Sequence, residues 1–197
     1  IYLAHGFNKR TSVAVVATVF IIALAAVIDY LVVMGLHLYG TGTEEAVYAQ
    51  FGETGSINLR GLLLGGILIG VLGVLDDITT AQVAVVDELK KANNSFGFKE
   101  LYRRAMSVGT EHIASLINTL VLAYVGASFP LVLLFEQYNQ SLSYIINSEL
   151  VAEEIGRTLV GSIVLIIAVP ITTALAAWVI ARKGEPLSLD EHGGHHH

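Results

Sequence analysis

Four long apolar stretches separated by shorter polar segments set the pattern of the chain. They run from about Thr11 to Leu38, Leu59 to Val86, Ala105 to Phe135 and Thr158 to Ala181. Each is long enough to cross a hydrocarbon core of about 30 Å as a helix. A strand left open in lipid would leave its backbone N–H and C=O groups unpaired. The pattern therefore predicts an all-α fold, a polytopic membrane bundle of about four transmembrane helices.

Composition agrees. Hydrophobic residues make up 54% of the 197 positions and charged ones only 14%, with a mean hydropathy of +0.66. These values lie well outside the range of soluble domains. Cysteine is absent, which removes disulfides, thiolate metal sites and a cysteine nucleophile from consideration. Residues 1–184 read as the transmembrane domain, and 185–197 as a His-rich tail or tag remnant on which no metal site is expected. Because the chain opens on Ile1 without a charged leader, an N-terminal part is expected to precede it.

The net charge of −6 matters less than its distribution. Lys9 and Arg10 precede the first span, Lys90, Lys91, Lys99, Arg103 and Arg104 lie between the second and third, and Arg182 and Lys183 follow the fourth. By the positive-inside bias these segments are expected to be cytoplasmic, with both chain ends inside. The other two connections, GTGTEEAVYAQFGETGS and FEQYNQSLSYIINSELVAEE, are acidic and are expected outside, the latter with an interfacial helix before the last span. KKANNSFGFKELYRRAM reads as a helix stop, a turn and a new helix, its charges forming a solvated face and not a nucleic-acid site.

The segment GVLGVLDDITTAQVAVV carries the unusual chemistry. A helix from Gly61 to Leu75 is roughly 22 Å long at 1.5 Å per residue, too short to span. The second span must therefore carry Asp76 and Asp77 into the membrane. Adjacent residues stand about 100° apart on a helix, so the two carboxylates cannot stack, although both can border one crevice. Intramembrane acids are costly and usually serve ion or proton pathways, which makes the pair a candidate for proton coupling.

Helical counting brings further polar groups to a similar depth. Thr79, Thr80 and Gln82 follow the acids on their own helix; Glu111, His112, Ser115, Asn118 and Thr119 lie on the third span; Thr172 and Thr173 follow Pro170 on the fourth. For the hydroxyl and amide groups the ordinary explanation is interhelical hydrogen bonding, with support of the acids as the alternative. His112 either pairs with the acids or bonds near the inner interface. Asp29, near the other end of the first span, reads as a snorkelling or packing group, with function as the alternative. Gly61, Gly65, Gly66, Gly70 and Gly73 give GxxxG spacings, for which close helix contact is the expected reason.

Three motifs in order, LRGLLLGGILIGVLGVLDDITTAQ, SVGTEHIASLINTLVLAYVGASFPLVLLF and EEIGRTLVGSIVLIIAVPITTALAAW, together with the opening HGFNKRT, resemble the C-terminal membrane region of YibE/F-like proteins. One departure is Thr110, where that family commonly carries Arg. GVLDDITTAQVAVVDELKKA is more distantly similar to the central membrane helices of resistance-nodulation-division exporters and SecDF translocation factors. That likeness implies a bundle resembling one half of such a membrane domain, with Asp76 and Asp77 as the proton-carrying pair. Those exporters set a cation from a second half against the acids. No Lys or Arg lies deep in these four spans, so the likeness implies a homodimer, a paralogous membrane subunit or the preceding part of the chain as its source.

The expected function is a proton-coupled transporter or translocation accessory of the bacterial cytoplasmic membrane, using Asp76, Asp77 and His112 within the polar layer. The alternative is a non-transporting scaffold or accessory subunit of a larger membrane complex. No enzyme activity, cofactor or metal is expected: the acid pair is on one helix and neither G-x-S-x-G nor HExxH occurs.

Overall fold

The structure is a computed structural model and describes residues 1–42, 48, 57–137 and 141–187. The helices are α1 (Tyr2–His5), α2 (Lys9–Gly35), α3 (Leu59–Ala92), α4 (Phe98–Ala127), α5 (Phe129–Gln137), α6 (Leu142–Ile146) and α7 (Glu149–Lys183), with no strand among the described residues. The four long ones, α2, α3, α4 and α7, are each long and apolar enough to cross a membrane. The chain is a multi-pass helical membrane protein. Most of the acidic connection expected between the first two spans, and the tail beyond Leu187, lie outside the described residues.

Local chemistry explains the helix limits. Asn8 opens α2, its side-chain oxygen accepting from the Thr11 amide at 2.7 Å. At the other end His37 takes a left-handed φ of 54°, and the Leu38 amide reaches back to the Val33 carbonyl at 3.0 Å, satisfying an end carbonyl. Asn58 caps α3 through the Gly61 amide at 3.0 Å. The expected stop in NNSFG is present: Asn93 accepts from the Ser95 amide and hydroxyl, while Lys90 Nζ donates to the carbonyls of Asn94 at 2.6 Å and Phe96 at 3.1 Å. Lys90 is thus buried and ties the turn, instead of lying on a solvated face.

Two boundaries differ from expectation. The third apolar stretch is not one helix, because the chain breaks between Ala127 and Phe129. Pro130 then falls in the first turn of α5, where its missing N–H costs nothing. Among its described residues the connection before the last span contains the short α6, and SELVAEE is used differently: α7 already begins at Glu149. Pro170 removes one ladder bond but α7 continues through it.

The chain divides into two compact units. The first comprises residues 1–24, 72–116 and 164–197, the second 25–71 and 117–163. In the first, Ala14, Val83, Val86, Leu101, Ala105, Ala176, Ala177, Ile180 and Leu187 form the apolar core. Small residues let these helices approach: a Cβ at Gly109 would stand 2.5 Å from Val169 Cγ1 and 2.9 Å from Gln82 Nε2. In the second unit Gly156 packs on Val32, Leu36 and Leu38, and Gly161 on Leu120 and Tyr124. The expected glycine contacts on α3 do not form among the described residues. Gly65, Gly66, Gly70 and Gly73 face open space, and Gly61 meets only its own cap, Asn58. Spacing marked a smooth strip on that helix, and the close approaches occur elsewhere.

A carboxylate cradle organises the loop of the second unit. Glu149 Oε1 accepts from the amides of Tyr39 at 2.6 Å, Gly40 at 3.0 Å and Thr41 at 3.4 Å, and Oε2 from the Thr41 hydroxyl at 2.5 Å. Glu153 Oε1 accepts from the Gly42 amide at 3.0 Å. Gly40 is required here, since its φ is +81° and a Cβ would strike the Leu59 carbonyl. Arg60 completes the arrangement, donating to the Leu38 carbonyl at 2.9 Å and lying 4.9 Å from the centre of the Tyr39 ring.

Candidate functional site

The first unit contains a cavity of about 710 Å³ lined by Asn8, Arg10, Thr11, Asp77, Thr80 and His112 together with Ala14, Ala81, Ala84 and Leu116. A polar lining of this kind between helices of a membrane bundle can hold water or a small hydrophilic solute. Asp77 and His112, assigned from sequence to different spans, line it together. Asp77 is exposed and Asp76 only half-buried, so the two acids of one turn meet different surroundings. Asp76 Oδ1 is buried with no hydrogen-bond partner, and its Oδ2 lies 3.7 Å from the main-chain nitrogen of Ile1. The roughly 100° between adjacent helical residues is the cause.

The turn carrying the acids is braced through hydroxyls. Thr80 donates to the Asp76 carbonyl at 2.7 Å, and Thr79 to the Leu75 carbonyl at 2.9 Å. Thr79 and Thr18 share a buried hydrogen bond of 2.8 Å that links α3 to α2. One turn further along, Gln82 Nε2 donates to the Ala105 carbonyl at 2.9 Å and to Thr173 Oγ1 at 2.7 Å. Thr173 in turn donates to the Val169 carbonyl at 2.6 Å. Gln82 therefore ties three helices at one point, and Gly109 supplies the room for it. These bonds are the interhelical kind that polar residues make in membrane bundles.

Other members of the sequence-derived set sit apart from this network. Thr172 is fully buried, with a hydroxyl that has no hydrogen-bond partner. Ser115 is exposed on α4, outside the cavity lining. Asn118 and Thr119 belong to the second unit, as does Asp29. Asp29 does not snorkel: it is 0% exposed, and neither carboxylate oxygen has a hydrogen-bond partner. The single polar layer inferred by counting is thus a cavity and a brace in one unit, with separate positions in the other.

Two participants were not expected. Arg10 was assigned to a topology signal, yet it lines the same cavity as Asp77 and His112. Its Nε lies 3.4 Å from Asp87 Oδ2 and its terminal nitrogen 3.6 Å from Glu88. Arg10 is therefore a cation of this chain at the border of the acid-bearing cavity. Asp87, read as the end of the span, is 0% exposed; its Oδ1 accepts from the Leu187 amide at 2.5 Å, and Lys91 lies 3.9 Å from Oδ2. It joins the starts of α2 and of the C-terminal segment to the end of α3. The signal available in sequence was charge complementarity, Arg10 against the pair Asp87–Glu88, but it has no spacing rule across such separations.

The cavity lining thus combines a carboxylate, a guanidinium and an imidazole. Among the described residues no group of three or more His, Cys, Asp or Glu is placed to hold a metal ion. Neither a curated protein nor a solved structure matches the chain. The family model of the YibE/F-like proteins matches residues 1–182, so it covers all four long helices and every residue of the cavity and its brace. The chain belongs to the YibE/F-like protein family.

Proposed function

We propose that this protein is a proton-responsive transporter or translocation accessory in which Asp77 takes up the proton and Asp76, His112 and Arg10 respond to it. The observation that carries the reading is the shared cavity, which sets Asp77 beside Arg10, His112, Asn8 and Thr80. An ionised Asp77 attracts Arg10 and a protonated His112. A neutral Asp77 loses that attraction and leaves Arg10 to Asp87 and Glu88, with which it already pairs. Asp76 stands beside it on a turn whose carbonyls are held by Thr79 and Thr80, so a charge change is transmitted to a braced segment instead of a loose one. The distant likeness to exporter and SecDF membrane helices supports the same assignment by analogy. On this reading the protein lies in a bacterial cytoplasmic membrane with both ends inside, and it acts as an oligomer.

Carboxyl infrared titration of the reconstituted protein tests this. Between about pH 5 and 9, a carboxylic-acid band that changes with pH and is lost in Asp77→Asn is expected. A flat response in a folded protein would overturn proton coupling.

The second reading is a non-transporting scaffold. It is favoured by α4, whose apolar window is only 11% buried compared with 50% for α7, while its Glu111 and Asn118 are exposed. Such a helix has a face for another membrane subunit. Stable co-purification with a large membrane partner and no pH response would put this reading first.

A further inference from the structure

The second unit contains a buried acid that the proposed site does not use. Asp29 sits on α2 at 0% exposure, and both of its side-chain oxygens are buried without a hydrogen-bond partner. The other buried side chains of this unit are aliphatic, among them Ala25, Val33, Leu63, Ile67 and Val160, with Glu153 as the one further acid. Several of the described ionic groups of the unit have partners of their own, although Arg157 Nε, like Asp29, is buried without a hydrogen-bond partner among the described residues. Arg60 bonds the Leu38 carbonyl and stacks on Tyr39, Glu149 and Glu153 hold the loop amides, and Arg157 lies 3.8 Å from Glu154. His37 and Tyr30 are exposed, and Tyr124 packs at Gly161. No cation is paired with Asp29 among the described residues.

An isolated ionised carboxylate in such surroundings is so unfavourable that the group neutralises instead. We propose that Asp29 is a second proton-binding site of this protein, loaded with a proton in the closed packing of its unit and able to release it only when water or a base reaches it. The ligand is the proton alone, since among the described residues no group of three or more His, Cys, Asp or Glu is placed to hold a metal ion. The inference is independent of the acid pair: it depends on burial in the second unit, whereas the acid pair borders a polar cavity in the first.

Infrared spectroscopy on the full chain in lipid vesicles distinguishes the two. The protein is made with ¹³C-carboxyl aspartate in an Asp76→Asn/Asp77→Asn background, which removes the acid pair and marks every remaining aspartate. Expected is a labelled carboxylic-acid band at neutral pH that exchanges slowly in D₂O and disappears in Asp29→Asn. Absence of any labelled acid band in the background protein, or its survival in folded Asp29→Asn, would overturn the proposal. Should Asp29→Asn fail to accumulate, Asp29→Glu serves: the labelled band must vanish and an unlabelled glutamic-acid band replace it, and persistence of the labelled band would reject the assignment.

Discussion

Asp87 and Asp29 are the same residue at the same exposure, 0%, in different units of one chain. Asp87 is surrounded by donors: the Leu187 amide, the Arg10 guanidinium and the Lys91 ammonium. Asp29 has none. Burial alone therefore does not define what a membrane carboxyl does. With donors the residue acts as a clamp; without them it is, on the proposal above, a store for a proton.

An isosteric substitution at both positions should break this comparison in opposite ways, and it carries the largest expected effect. Asp87→Asn keeps the shape but removes the charge that accepts from the Leu187 amide and pairs with Arg10, and should destabilise by about 1.5–3 kcal/mol, the range for a hydrogen bond to a charged group. Amide exchange at Leu187 should accelerate with it. Asp29→Asn removes no ion pair and should change stability by less than about 0.5 kcal/mol, as for a substitution that breaks none of the usual supports. Denaturation in mixed micelles measures both. Equal losses at the two sites would mean that Asp29 has a partner after all, and would make it a second clamp.

Glycine sharpens the same contrast at somewhat lower energy. Gly109→Ala places a methyl 2.5 Å from Val169 Cγ1 and against the Gln82 amide, so the junction of α3, α4 and α7 must open. Overpacking of this kind costs about 1–3 kcal/mol. Gly66→Ala, into open space, should be neutral or stabilising by up to about 1 kcal/mol, because alanine restricts the unfolded chain more. If Gly66→Ala instead weakened an oligomer seen by cross-linking while leaving the fold intact, the smooth strip on α3 would be a surface between copies.

The contrast also shows what the sequence conveys. Apolar length gives the existence and order of α2, α3, α4 and α7, with ends displaced by up to nine residues, because hydrogen-bond satisfaction in lipid leaves few options for the spans themselves. The acid pair is legible for the same reason: fifteen-odd apolar residues do not reach across a bilayer. Which face of each helix is buried is not legible. In a soluble helix an apolar stripe marks the core, but α2 has a mean hydropathy of 2.7 over its window and is apolar all round. Asp29 could thus be assigned a depth but not a direction, and Gly66 a spacing but not a neighbour. The place of Arg10 in the cavity was not legible, because a basic residue at a span end satisfies the topology bias whether or not it also lines a cavity. Glu149, sequence-adjacent to nothing it binds, could be found only once the loop at Tyr39–Thr41 lay against it.

The smallest expected effect concerns the brace at Gln82. Its amide donates to Thr173 and Ala105 and so links three helices, although each acceptor also has, or can find, a helical partner. Thr173 still bonds the Val169 carbonyl when Gln82 is removed, and the Ala105 carbonyl remains within the α4 ladder. Gln82→Leu, similar in volume, should therefore cost only about 1 kcal/mol, near the average measured for a single hydrogen bond between membrane helices. Its value lies in the specificity of the response. If the brace transmits a charge change from the acid turn, Gln82→Leu should leave the carboxyl band of Asp77 titrating but uncouple it from amide exchange near Thr173 and Ala105. Retention of that coupling would confine Gln82 to packing, and Thr79 with its bond to Thr18 would be left as the connection between the acid turn and its neighbours.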